Sequence, residues 1–139
     1  MGGVNLRRRK KLQRQLLEAA GWGTTDQVTA LLRAGADPNW PGPDADLPLY
    51  RASVQNRPAT IRALIAAGAD PHLESGHGEE GLPLCAAASW GHDDAVRELL
   101  AAGADPHARE DDGHGHTALE WAEAGNHQNT LTLLRDAAR

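Results

Sequence analysis

The sequence predicts an all-α solenoid, and three observations carry that expectation. The pentapeptide Ala-Gly-Ala-Asp-Pro occurs at 34–38, 67–71 and 102–106, with its glycines 33 and 35 residues apart. A second motif, Leu47-Pro48-Leu49, Leu82-Pro83-Leu84 and Thr117-Ala118-Leu119, recurs at intervals of 35. An apolar pair stands before each Gly-Ala-Asp, at Leu31-Leu32, Leu64-Ile65 and Leu99-Leu100, and Leu133-Leu134 continues the register. Two motifs interlocked at one period mean stacked repeats, each too small to bury its own apolar face.

Within a repeat, local chemistry orders the elements. Pro48 and Pro83 suit the first turn of an inner helix, where a missing N–H is no loss. Gly23, Asn56, Gly91 and Asn126 mark the tight turn to an outer helix, and Gly35, Gly68 and Gly103 suit the left-handed residue that ends it. The small residues Ala19-Ala20, Ala52-Ser53 and Ala86-Ala87-Ala88 let neighbouring inner helices approach closely. Val28, Ile61, Leu64, Val96, Leu99, Leu131 and Leu134 supply the apolar stripe of the outer helices. Four repeats follow, at about 12–39, 40–72, 73–107 and 108–139, in a single domain preceded by a basic arm at 1–11. The first lacks the opening motif and the last stops after its outer helix, as end caps do.

These motifs resemble the ankyrin repeat over about residues 12–139. Its helix-opening Thr-Pro-Leu-His is seen as Leu-Pro-Leu-Tyr, Leu-Pro-Leu-Cys and Thr-Ala-Leu-Glu; its Ala-Ala-x-x-Gly-His as Ala87-Ala88-Ser89-Trp90-Gly91-His92; its Gly-Ala-Asp-x-Asn as Gly35 to Asn39. The resemblance implies an ankyrin-repeat solenoid, helix-turn-helix repeats joined by hairpin-like finger loops, that binds other proteins. It also implies that the two residues between Ala-Ala and Gly project toward a concave binding face. The motif His is replaced by Tyr50, Cys85 and Glu120, so it supplies no inter-repeat hydrogen bonds, whereas His92, His127, His72 and His107 fall at positions expected to be structural.

Composition excludes several functions. The 139 residues carry 14 basic against 19 acidic residues, a charge of −5, and their one cysteine, Cys85, allows neither a disulfide framework nor a Cys-rich zinc site. No apolar run approaches the roughly 20 residues that span a bilayer. The basic Arg7 to Lys11 lead into the polar Gln13-Arg14-Gln15, unlike a secretion signal, so a cytoplasmic location is expected. Arg in preference to Lys, with abundant Ala, fits a GC-rich bacterial genome. No catalytic constellation is present: Cys85 sits in an apolar helix, where a thiol is inert, and Asp93-Asp94 begin a helix whose dipole favours them.

Three regions remain for function. At the variable positions, Gly21-Trp22, Val54-Gln55, Ser89-Trp90 and Ala124-Gly125 align, which puts Trp22, Gln55 and Trp90 in one register as candidate binding residues with Ser89. Trp40 opens the first loop, and Trp121 falls at a helix-interior position expected to pack against the preceding repeat. The loops are the second region. The second and third are two residues longer than the first and carry Gly, His and acid, with His77 and Glu79 in one and Asp112 and His114 in the other as candidate contacts. These groups have metal-ligand chemistry, but their glycines argue against a preformed site, so no metal or cofactor is assigned. The third region is charge. Residues 1–17 hold six basic and no acidic residues, leaving 8 basic against 19 acidic elsewhere, a charge of −11. That body repels phosphates, so nucleic acid is not expected, and the arm is read as extending the capping helix, as partly disordered, or as folding on acidic neighbours.

The main expectation is a monomeric, non-enzymatic module whose groove and acidic fingers hold a protein or peptide partner with a basic patch. Two alternatives stay open. One is a small-molecule groove between Trp22, Trp90 and Trp121, binding or transforming an apolar ligand with Glu120 or His116 as proton donor. The other is self-association of basic arm with acidic body.

Overall fold

The computed structural model describes residues 5–77 and 80–139, and among these it contains eight helices and a single isolated β-bridge. In chain order they are α1 (Leu6–Trp22), α2 (Thr25–Arg33), α3 (Pro48–Val54), α4 (Pro58–Ala66), α5 (Pro83–Trp90), α6 (Asp93–Ala101), α7 (Ala118–Ala124) and α8 (Gln128–Ala137). Inner helices α1, α3, α5 and α7 pack in succession, outer helices α2, α4, α6 and α8 do the same, and each inner helix packs on its own outer partner. The basic segment extends the first inner helix: α1 is 17 residues long where α3, α5 and α7 have 7 or 8.

The helix signals act as the sequence implied. Pro48 and Pro83 each occupy a first-turn position, and Pro58, which the sequence reading did not single out, opens an outer helix in the same way. Gly35, Gly68 and Gly103 take φ of 108°, 99° and 91°, and the turns at Asn56, Gly91 and Asn126 are left-handed at 52°, 69° and 56°. Gly23 departs from this pattern with an extended backbone (φ −90°, ψ −166°). The Thr24–Gln27 capping box folds across it, so a Cβ there would stand 2.4 Å from the Gln27 side-chain oxygen; glycine is needed for space rather than for φ.

Small and large residues are segregated in the core. Ala20, Ala52, Ala87 and Ala122 close the inner layer without exposure, while Val28, Ile61, Leu64, Val96, Leu99, Leu131 and Leu134 fill the outer layer. The inner layer is thus built on alanine and the outer layer on larger aliphatic side chains.

Polar ties between neighbouring repeats complete it, and they come from positions other than the substituted motif His. Arg57 donates to the Gly23 carbonyl, and the His92 and His127 rings bond the Val54 and Ser89 carbonyls at 3.0 Å each. Between outer helices, Thr25 pairs with Thr60, Asn56 accepts from the Ala95 N–H, and Thr130 donates to Asp93 at 2.6 Å. Along the loop bases Asn39 accepts from the Asp70 N–H and donates to Gly68, and His72 accepts from the Asp105 N–H. The His107 ring, one repeat further, has no such neighbour among the described residues.

At the amino-terminal end Gln13, buried despite its amide, clamps the first loop: it donates to the Asp37 and Trp40 carbonyls and accepts from the Asp37 N–H.

Candidate functional site

The fingers close as short hairpins whose spans reproduce the length difference in the sequence. Gly42 N–H reaches the Asp46 carbonyl, Ser75 and Gly81 exchange hydrogen bonds of 2.8 and 3.0 Å, and Glu110 N–H reaches His116. Neighbouring fingers are tied together, Gly76 N–H to Ala45 and Leu47 N–H to the Ser75 hydroxyl. The third finger turns over at Asp111, Asp112 and Gly113, all left-handed, which leaves Asp112 and His114 exposed at its tip, as His77 is in the second. Glu79 lies outside the described residues. Among the described residues no group of three His, Cys, Asp or Glu converges on a point where a metal ion could sit.

On the inner-helix face, the ends of α1 and α5 present Trp22 and Trp90 at 73% and 64% exposure. They are the two most exposed large apolar side chains among the described residues. The two are separated by α3, and at 8–10 Å per helix layer they stand roughly 16–20 Å apart. Gln55 occupies the same register between them and is exposed; Ser89 is half-buried and its carbonyl is taken by His127.

The structure brings Trp22 and Gln55 together with groups that sequence reasoning did not join to them. Gly21, Trp22, Tyr50, Arg51, Gln55 and Glu80 line an open cleft of about 340 Å³. The Glu80 carboxylate accepts from Ser75 at 2.8 Å and is paired with Asp46, which in turn holds Arg51 at 2.7 Å. Burial and the neighbouring Asp46 raise the Glu80 pKa against the opposing effect of the Ser75 bond. Two carboxyls beside one guanidinium leave this corner one negative charge in surplus when both ionise. Tyr50, half-buried beside them, is pushed up to about 12, first by burial and then by Glu80 and Glu110.

Trp40 and Trp121 lie elsewhere. Trp40 is half-buried under the Arg9 guanidinium, 4.4 Å from its ring centre, at the base of α1. Trp121 packs against the finger of its own repeat: its indole N–H donates to Glu110 at 2.8 Å and the His116 ring meets it edge-on at 5.1 Å. Glu110 also accepts the Leu82 N–H, so one carboxylate joins the last two repeats.

Two of the groups considered for chemistry, Glu120 and Cys85, are held in states that do not suit it. Glu120 is bound by His116 at 3.0 Å and Arg109 at 2.8 Å, interactions that lower its pKa and keep it charged, the wrong state for a proton donor. Cys85 is buried, its thiol directed at the His116 carbonyl, and burial drives its pKa far above the range in which a thiolate forms.

A stack of helix pairs with hairpin fingers and a bare aromatic row on its inner-helix face defines a repeat scaffold of the kind built for binding. The chain belongs to the ankyrin-repeat family: the family model for ankyrin repeats (three copies) matches residues 49–139. The α1–α2 pair precedes that span and continues the same stack. No curated protein matches the chain. Ankyrin repeats are in general protein–protein interaction modules, and no helix among the described residues is long and apolar enough to cross a membrane.

Proposed function

We propose that this protein is a non-enzymatic binding module whose inner-helix groove holds an extended, basic segment of a protein partner. The observation that carries this reading is the pair of bare tryptophans in one register, about two helix layers apart. A compact ligand cannot reach both, whereas an extended peptide advancing about 3.3 Å per residue places anchors on both with five or six residues from one to the other. Tryptophan is the residue most often found at the energetic centre of protein interfaces, because it offers large contact area at small entropic cost.

The charge of the partner follows from the cleft. A Lys or Arg side chain between the Trp22 and Tyr50 rings meets aromatic faces and the surplus charge of Glu80 and Asp46. The acidic third finger tip, with Asp112 and His114, and the exposed His77 of the second form the rim that steers it. Trp40 lies on a different surface, on the flank of α1.

Affinity capture from lysate with wild type beside a Trp22→Ala/Trp90→Ala variant tests the reading. Both side chains are exposed, so the variant keeps its fold. The expected result is a partner kept by wild type and lost by the variant, with each single substitution weakening it by about 2 kcal/mol. A partner held equally by both proteins refutes the groove as its site.

A further inference from the structure

A second cavity, of about 380 Å³, lies on the flank of α1, away from the groove. Its lining includes Lys10, Gln13, Arg14, Trp40, Pro41 and Pro43. Lys10 and Arg14 are one helical turn apart, so their charged ends share a face. None of Arg9, Lys10 or Arg14 has a carboxylate within ion-pair distance among the described residues, in a chain that otherwise carries a large acidic excess.

The side-chain polar inventory of the lining is one-sided. Both ends of the Gln13 amide are used, on Asp37 and the Trp40 carbonyl. Pro41 and Pro43 have no N–H, and the Gly42 N–H is committed to Asp46. The free side-chain groups are therefore the Lys10 ammonium, the Arg14 guanidinium and the Trp40 indole N–H, all donors. A ligand that satisfies them brings acceptors, and an anion satisfies them best. The walls are flat and apolar: an indole braced by Arg9 and two proline rings.

We propose that this cavity is a distinct binding site for a small aromatic acid, its ring against Trp40 and the prolines and its carboxylate between Lys10 and Arg14. The cavity volume is at the lower end of the range of small-molecule sites, which suits one or two rings. The charge of −11 over the rest of the chain selects against polyanions such as nucleic acid. The site shares no lining residue with the groove, so it stands or falls separately from the peptide-binding reading.

The test is an NMR titration of the full chain with naphthalene-2-carboxylate and, in parallel, its neutral carboxamide, following the Trp40 indole and Gly42 amide signals. The Trp40 signal is assigned with a Trp40→Phe variant. The expected result is saturable shifts confined to these signals and their neighbours, with the carboxamide at least about tenfold weaker. Lys10→Gln/Arg14→Gln is expected to weaken the acid about tenfold or more while leaving the amide unchanged. Both side chains are exposed and unpaired, so this variant keeps its fold, which circular dichroism verifies. Equal binding of acid and amide, an unaltered affinity in the double variant, or no saturable shift at about 10 mM probe each overturns the proposal.

Discussion

Glu110 is the most exposed to test of the inter-repeat ties, because a single carboxylate spans two repeats. Its two oxygens accept separately: one from the Leu82 N–H at 3.2 Å, at the start of α5, and one from the Trp121 indole at 2.8 Å in α7. Glu110→Ala removes both acceptors. Leu82 is buried, so its N–H is left without a partner at about 1–3 kcal/mol, while the half-buried indole can rehydrate, at about 0.5–1.5 kcal/mol. The expected destabilisation is about 2–4 kcal/mol. At roughly 4 °C per kcal/mol for a chain of this length, the Tm falls by about 8–15 °C.

Urea unfolding followed by tryptophan fluorescence measures this, and Glu110→Gln, which keeps one acceptor, is expected to lose about half as much. Trp121→Phe keeps the ring and removes the N–H, so a double-mutant cycle with Glu110→Ala isolates the indole bond, with an expected coupling near 1 kcal/mol. Because solenoid stability is a sum of repeat and nearest-neighbour terms, the weakened joint should also let the last repeat melt early and lower the apparent m-value. A midpoint for Glu110→Ala within about 0.5 kcal/mol of wild type, or strict additivity in the cycle, would refute the reasoning.

Three further outcomes are expected. Tyr50 is the only tyrosine and titrates in the native state near 12; since its neutral form is favoured by folding, stability is unaffected below about pH 10 and declines as pH rises from there through 12. Tyr50→Phe should remove that alkaline slope, and a native ultraviolet titration midpoint near 10 would contradict it. Cys85 should resist a thiol reagent in the native protein and react at the rate of unfolding, so prompt labelling at neutral pH contradicts its burial. Gly91→Ala combines a φ of 69° with a Cβ 2.6 Å from the His127 ring, whereas Gly35→Ala meets only its φ of 108° in open space; thermal melts should show the first variant losing clearly more than the second, which should lose about 1–2 kcal/mol.

What the sequence revealed and what it hid divide along a physical line. Features that recur every 33–35 residues were legible: the helix pairs, the left-handed glycines, the alanine and leucine layers, and the two-residue difference between fingers. The alignment also placed Trp22, Gln55 and Trp90 in one row. Features that depend on one residue meeting another across repeats were not. Gln13 reads as a polar residue in a basic helix, and nothing local announces that it clamps a loop 24 residues away. Asp46 and Glu80 sit on adjacent fingers, and their pairing, with Tyr50 above, arises only when the fingers are tied by Ser75 and Gly76. Glu80 consequently lines the groove, although in the sequence it is one acid among several in a glycine-rich loop. Trp40 looked like a finger residue; its position under Arg9 follows from the helical extension of the arm, one of three readings the sequence left open.

The division of alanine and leucine between the two layers has a mechanical consequence. Each joint between repeats is a small wedge, thin at the alanines and thick at the aliphatic outer side, and the joints act in series. A slight change of angle at every wedge adds up along the stack, so the two tryptophans at the groove behave as the jaws of a caliper whose fulcrums are Ala52 and Ala87. A partner that gripped both jaws, as proposed above, would load the two joints between them, and a single larger side chain at one fulcrum would reset the gap without touching either tip.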